Sequence, residues 1–294
     1  MIVLVYAIRR LPTLSEEDFQ EYWRDQHGPL VASFSTTLGI RRYVQNHAIL
    51  DHPVNCAVRD KNDGYLPLDG HEFYWFENHD VLAKALATPA GKKATEKLIA
   101  DEQKFIDFSR STMFVGIEQI QVKGGDLEFT GALPENLLAN EKNQIIKGTC
   151  ILYRNADTFK TRAEYLTWLR GTQGPQVRNY ADSIRVLRYA QIHNIDDPLT
   201  DELRSARGKM EETPDSSTNI WFHKLHQEQA SITPEGKQAW ELIRIDEANE
   251  LDMTRPTFGL QWSKEFSFVD RMCEFTPRER KILKEKGLIG ITNK

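Results

Sequence analysis

Tyr43, Gln45 and His47 occupy alternate positions of the stretch "RRYVQNHAI", and Tyr189, Gln191 and His193 do the same in "VLRYAQIHNI". Alternate side chains of a β-strand share a face. Each trio therefore sets a phenol, an amide and an imidazole side by side. A phenol and an imidazole on one face can hold a phenolate and move a proton. The plainer reading is a buried Gln–His network at a seam between two sheets, which suits Gln45 and Gln191 best. His27 is a further imidazole of interest. It ends the stretch "EEDFQEYWRDQH" and precedes Gly28-Pro29, which places it at a helix C-terminus. There the helix dipole favours the imidazolium, able to hold a carboxylate or act as a general acid. The alternative is a side chain that caps free carbonyls.

These residues belong to a repeated pattern. "HGPLVASFSTTLGIRRYVQNHAI" from His27 overlays "QGPQVRNYADSIRVLRYAQIHNI" from Gln173 without a gap. Gly28-Pro29 falls on Gly174-Pro175, Arg42-Tyr43 on Arg188-Tyr189, and Trp75-Phe76 on Trp221-Phe222. One residue is then lost, after which Asp101-Glu102 falls on Asp246-Glu247. One register held over so many positions is a tandem duplication. His27 has become Gln173 in the second copy, so the two candidate pockets are not equivalent.

The elements that would position these groups follow the same plan in each copy. An apolar strand comes first ("IVLVYAI", then "TCILYR"). A helix follows, with Ser15 as N-cap and Phe19, Tyr22 and Trp23 on one face; Gly28-Pro29 should end or kink it. Strands are expected at 40–49 and 186–195, at 72–76 and 219–223, and at 113–122 and 257–263. Second helices are expected at about 81–108 and 233–250. The order β-α-β-β-α-β is the ferredoxin-like plan: α+β, with an antiparallel sheet and both helices on one face. Two such sheets can press their bare faces together into a closed barrel, which also covers edges. The expected organisation is repeat 1 over 1–122, a linker over 123–146, a diverged repeat 2 over 147–270 and a helical tail over 271–294. The long stretches 51–70 and 196–217 read as loops.

The bulk composition narrows the function classes. In 294 residues, 40% are hydrophobic and 28% charged, with a net charge of -5 and no basic run. Nucleic acid is therefore not an expected partner. No apolar run approaches the length of a membrane span, and three scattered cysteines fit a reduced, cytoplasmic protein without a disulfide framework. The absence of HxH, HxxxH and HExxH, and of GxGxxG and P-loop signatures, gives no reason to expect a metal or a nucleotide cofactor. Acid–base chemistry on a bound small molecule remains. Its candidate catalytic groups are His27, Tyr43, His47, Tyr189 and His193. Arg42 or Arg188 would hold an anion, and Tyr22, Trp23, Trp75, Trp221 and His223 would line the substrate site. The aromatic set serves equally well as core. His71, Glu72 and His79 are further titratable groups near strand ends, and Glu72 could pair with a histidine.

The first copy resembles the EthD family of the dimeric α+β barrel superfamily. The resemblance rests on "LSEEDFQEYWRDQHGPLV", "LGIRRYVQNHAI", "DGHEFYWFEN" and "DEQKFIDFSRSTMF". The second copy resembles it more weakly, with Gln173 in place of the family's histidine. The resemblance implies a pocket between sheet and helices, and a cofactor-independent enzyme of phenolic or polyketide-derived aromatics. A carbon–carbon lyase, decarboxylating or deformylating, is the first expectation. A cofactor-free oxygenase or cyclase, or a non-catalytic binding protein, is the alternative, and a homodimer is an open option.

Overall fold

The computed structural model describes residues 1–49, 52, 55–56, 68–122, 145–223, 232–255 and 259–267. Residues 123–144 of the expected linker (123–146), the expected tail (271–294) and most of the stretch 51–67 lie outside them. Eight described strands, all antiparallel, close into one barrel in the order β1-β3-β2-β8-β5-β7-β6-β4. They are β1 (Ile2–Ile8), β2 (Arg42–Ala48), β3 (Gly70–Phe76), β4 (Thr112–Val122), β5 (Ile145–Leu152), β6 (Val186–Asn194), β7 (Ser216–His223) and β8 (Gly259–Ser267). Each half contributes a four-stranded sheet of ferredoxin-like order. The seams are β2 against β8 and β4 against β6.

Strand alternation sorts the side chains into two layers. Val3, Val5, Val44, Phe73, Trp75, Phe114, Ile151 and Ile192 pack on one another inside the barrel. Ile2, Leu4, Tyr6, Ile8, Tyr43 and Tyr74 face outward, under the helices of the first half. These helices are α1 (Glu16–Tyr22), α2 (Gly28–Ser33), α3 (Ser35–Leu38), α4 (His79–Ala87) and α5 (Pro89–Glu102). Ser15 caps α1 by accepting from the Asp18 N–H, as its spacing predicts.

The helical path does not stop at Gly28-Pro29. A π-helical turn, Trp23–His27, carries α1 into α2, with the proline in the first turn of α2. Proline is tolerated there because that N–H needs no intrahelical partner. The π-turn turns both Trp23 and His27 inward, each fully buried. Gly70 makes the close approach of this turn to the sheet possible, since a Cβ there would stand 2.4 Å from the Trp23 ring.

The second half repeats the device: α6 (Arg162–Trp168), a π-turn at Leu169–Gln173, and α7 (Gly174–Asn179). The stretch 196–217, expected to be loop, holds α8 (Pro198–Ser205), capped by Asp197. Proline at its start and the buried Leu199 and Leu203 make it a short amphipathic helix, and it packs on the first half. The Val115 N–H donates to Thr200 Oγ1 (3.0 Å), and His79 Nδ1 lies 2.7 Å from Asp197 Oδ2. Helix α9 (Pro234–Glu250) completes the second half.

Candidate active site

The groups with the most chemistry lie between the first-half sheet and α1–α5. Three strands supply hydroxyls and a carboxylate to that face: Tyr6 from β1, Tyr43 from β2, Glu72 and Tyr74 from β3. Glu72 is fully buried and accepts three hydrogen bonds. Trp23 Nε1 and the Tyr43 hydroxyl donate to Oε1, each at 2.5 Å, and the Tyr74 hydroxyl donates to Oε2 at 2.6 Å. His27 stands between this carboxylate and another. Its Nδ1 is 3.0 Å from Asp101 Oδ2 and its Nε2 is 3.5 Å from Glu72 Oε1. Its ring packs on Phe105, with centroids 5.0 Å apart.

The electrostatics favour a charged imidazole. Burial by itself would lower the His27 pKa, but the hydrogen bond to Asp101 and the charges of Glu72 and Glu102 outweigh it, and the net shift is upward. Burial pushes the other way on Asp101 too; hydrogen bonds from His27, Tyr22 and Lys104 overcome it and hold its carboxyl well below the usual range. Burial and the Glu72 charge keep the Tyr43 and Tyr74 phenols protonated well above the ordinary tyrosine range. The Tyr6 hydroxyl is likewise buried, with no aligned hydrogen bond although the Arg207 guanidinium lies beside it. His27 Nε2 also lacks a hydrogen-bond partner. The result is an imidazolium whose second N–H faces the Glu72 carboxylate, itself held by two phenols and the Trp23 indole. Such a group can deliver a proton and take it back.

A family model described as EthD domain matches residues 11–109. Residues 11–109 are an EthD domain. All of His27, Tyr43, Glu72, Tyr74 and Asp101 fall within it. The chain is 28% identical over 125 residues to the conidial pigment biosynthesis dehydratase EthD of Metarhizium robertsii (strain ARSEF 23 / ATCC MYA-3075), covering 40% of this chain and 81% of that protein. Among solved structures, an ethyl tert-butyl ether d (ethd) family protein from Bacillus halodurans is 20% identical. That match covers 40% of this chain and 100% of the other, with a TM-score of 0.28. A chlorite dismutase from Candidatus Nitrospira defluvii is 11% identical, covering 97% and 94% of the two chains, with a TM-score of 0.39.

The residues predicted from sequence divide into three places. His27, Tyr43, Tyr22 and Trp23 meet in the EthD domain, and His47 joins them at its edge. His47 Nε2 lies 3.2 Å from Gln45 Oε1, and its ring is 4.3 Å from the Trp23 ring. Arg42, Trp75, Arg188 and Trp221 are instead on the opposite face of the sheet, inside the barrel. There Arg42 stacks on Trp75 at 4.3 Å and Arg188 on Trp221 at 4.9 Å. Strand alternation puts Arg42 on the face opposite Tyr43, so neither arginine shares the His27 site. Tyr189 and His193 lie under the second-half helices, and the His223 side chain lies outside the described residues.

Two structural expectations are corrected. His27 is not at a helix C-terminus but inside a continuous helical path, so carboxylates rather than the helix dipole hold its charge. Gln45 does not join two sheets but ties a helix to its own, its Nε2 donating to the Trp23 carbonyl (2.7 Å). Gln191 does both: its Oε1 accepts from Gln121 Nε2 (3.3 Å) across the β4–β6 seam, and its Nε2 donates to the Leu169 carbonyl (2.9 Å). Those carbonyls each also accept the N–H five residues on, at Gly28 and Gly174, so the glutamine fixes the π-turn.

The second-half site is neutral by comparison. Where the EthD domain has Trp23, His27, Glu72 and Tyr74, the second half has Leu169, Gln173, Thr218 and Ile220. Gln173 accepts from the Tyr189 hydroxyl (2.7 Å) and donates to Glu247 (3.0 Å), whose carboxyl burial pushes up. Burial and the Arg170 charge push His193 down to about 4. Asp101, Glu102 and Arg207 escaped the sequence-based choice of site residues. The signal for the acids was present: Ala94, Leu98, Asp101, Glu102 and Phe105 form a helical core stripe interrupted by two carboxylates.

Proposed function

We propose that the EthD-domain site is a cofactor-independent acid–base centre acting on a phenolic or related aromatic small molecule, with His27 as the proton donor. The observation that carries this reading is the buried His27, held between Asp101 and Glu72 with its charged form favoured. Asp101 orients the imidazole and Glu72 faces its free N–H. The chemistry we favour is lyase chemistry, with decarboxylation of a hydroxyaryl acid as the leading case. His27 gives its proton to the ring carbon that bears the carboxylate, and the phenolic oxygen takes up the developing charge through the ring. The carbon–carbon bond then breaks, its electron pair returns to the ring, carbon dioxide leaves, and a solvent proton restores the imidazolium. Loss of formaldehyde from a hydroxymethyl-type side chain would use the same proton delivery.

Dehydration is the second reading, supported by the printed function of the Metarhizium relative. His27 would protonate the leaving hydroxyl while a carboxylate takes the proton from the adjacent carbon. Both reactions make this chain a small-molecule enzyme, and both need the same imidazolium.

The test is an anaerobic incubation with hydroxyaryl carboxylic acids and with hydroxylated, dehydratable aromatic precursors, read by mass spectrometry. Release of carbon dioxide, formaldehyde or water is expected, and His27→Gln should lower it by about 10²-fold or more. Because the imidazolium is the working form, the rate should fall as pH rises through a pKa above the ordinary histidine value of ~6.5. Turnover that requires oxygen, or that survives His27→Gln, would sink the reading.

A further inference from the structure

Three carboxylates surround His27: Asp101 and Glu102 from the end of α5, and Glu72 from β3. Unrelieved, three negative charges would hold the imidazolium proton too firmly for transfer, because a general acid works best with a pKa near the operating pH. Each carboxylate is loaded with donors of its own. Glu72 accepts from Trp23, Tyr43 and Tyr74. Glu102 accepts from Arg207 Nε and Nη2, each at 2.6 Å. Tyr6, from β1, lies beside that guanidinium, and burial keeps its phenol protonated. Asp101 divides its two oxygens. Its Oδ2 faces His27 Nδ1, while Oδ1 accepts from the Tyr22 hydroxyl (2.6 Å) and from Lys104 Nζ (2.9 Å). Lys104 also donates to the Tyr22 oxygen at 3.2 Å.

The Asp101 donors reach water, since the Lys104 side chain is 62% exposed. The bond to Asp101 raises the Lys104 pKa, so its ammonium stays charged. Donors on one oxygen of an ionised carboxylate stabilise its charge and leave less for a partner on the other. The second half shows that these donors go with the histidine. Tyr22, His27 and Lys104 fall on Trp168, Gln173 and Asn249. The aspartate itself is kept as Asp246, but it accepts from Gln176 Nε2 (2.8 Å), and Gln173 turns to Glu247 instead. Where the imidazole is lost, both donors that load the aspartate are lost with it.

We propose that Tyr22 and Lys104 are positioning residues of the EthD-domain acid, which draw charge onto the far oxygen of Asp101 and so keep the His27 proton transferable. They touch neither His27 nor a reacting atom and act through Asp101 alone. The inference rests on the acid–base reading of this site and deepens it by naming what sets the strength of the acid. Its sign is distinctive. Removing the donors returns charge to Oδ2, and His27 should then keep its proton to higher pH. A role confined to holding Asp101 in place would do the opposite, because a displaced Asp101 would support the imidazolium less.

The experiment is an NMR titration of the His27 ring in the isotope-labelled full-length protein, with the signal identified by its loss in His27→Gln. The midpoint should rise by about half a pH unit in Lys104→Met and in Tyr22→Phe, the size expected of a solvent-exposed charge or hydroxyl contact. Lys104→Arg, which keeps the charge and the donor, should restore the wild-type midpoint. A midpoint that stays put or falls in both variants, a Lys104→Arg protein that behaves like Lys104→Met, or a wild-type ring that does not titrate across the folded pH range would overturn the proposal. Raised midpoints in a protein that turns over no aromatic compound would overturn the reaction and leave the role of the two donors standing. Turnover that needs His27, with midpoints unmoved, would do the reverse.

Discussion

Two histidines show how one residue type takes opposite roles in a single barrel. His27 is surrounded by carboxylates and gains charge; His71 faces cations and loses it. Burial first, then the Lys147 and Arg9 charges, push His71 down to about 3, and a hydrogen bond between its Nδ1 and Gln261 Nε2 (2.6 Å) offsets this only in part. The sign of the linkage follows. A histidine with a depressed folded pKa leaves stability intact above its unfolded value of ~6.5 and erodes it as pH falls from there toward about 3. The cost has a ceiling of about 1.4 kcal/mol per pH unit in that window. His71→Gln keeps an acceptor for Gln261 and removes the titration. Its melting temperature should therefore fall less between pH 7 and pH 5 than that of the wild type; an equal fall in both proteins would show that His71 does not drive the acid sensitivity.

At the level of elements, the π-turn between α1 and α2 decides whether the site exists. An ordinary α-helical run would not bring Trp23 and His27 onto the sheet together as this wider turn does. Gly70 on β3 is the surface it closes on. Gly70→Ala places a methyl 2.4 Å from the Trp23 ring, where the flanking strand backbone cannot yield. Overpacking of this kind costs about 1–3 kcal/mol. Chemical denaturation should show that loss. The Trp23 indole N–H signal, which reports its bond to Glu72, should shift in the NMR spectrum. An unchanged indole signal would mean that the turn tolerates the methyl and is less tightly seated than its contacts suggest.

The whole molecule behaves as one closed object whose halves complete each other. Helix α8 belongs to the second half by sequence and to the EthD-domain site by contact, and the Arg207–Glu102 pair is its buried link. Removing one partner of a buried pair strands the other charge, at about 3–5 kcal/mol, whereas replacing both with apolar groups is often neutral. Arg207→Met alone should therefore destabilise the protein far more than Glu102→Leu/Arg207→Met. Equal denaturation midpoints for the two variants would show that the pair is not desolvated in solution.

Much of this was legible in the sequence. The alternation of "RYVQNHA" fixed which of its residues share a face, the Ser15 cap marked a helix start, and the β-α-β-β-α-β order implied a sheet with one bare face. These are local properties: a strand's period and a helix's cap are set by neighbours along the chain. Locality also explains the failures. Nothing near Arg42 in the chain says which face of the sheet is the inside of the barrel, because that is decided when β2 meets β8. Nothing near Gly28-Pro29 says that the helical path continues, because Gln45, far along the chain, holds the turn. Glu72, Asp101 and Arg207 come from a strand, a helix and the opposite half, and their charges interact only once the barrel removes the water between them. Sequence determined the elements and the chemical vocabulary of this protein; closure of the barrel decided which charges share a low-dielectric space, and so which histidine carries a proton.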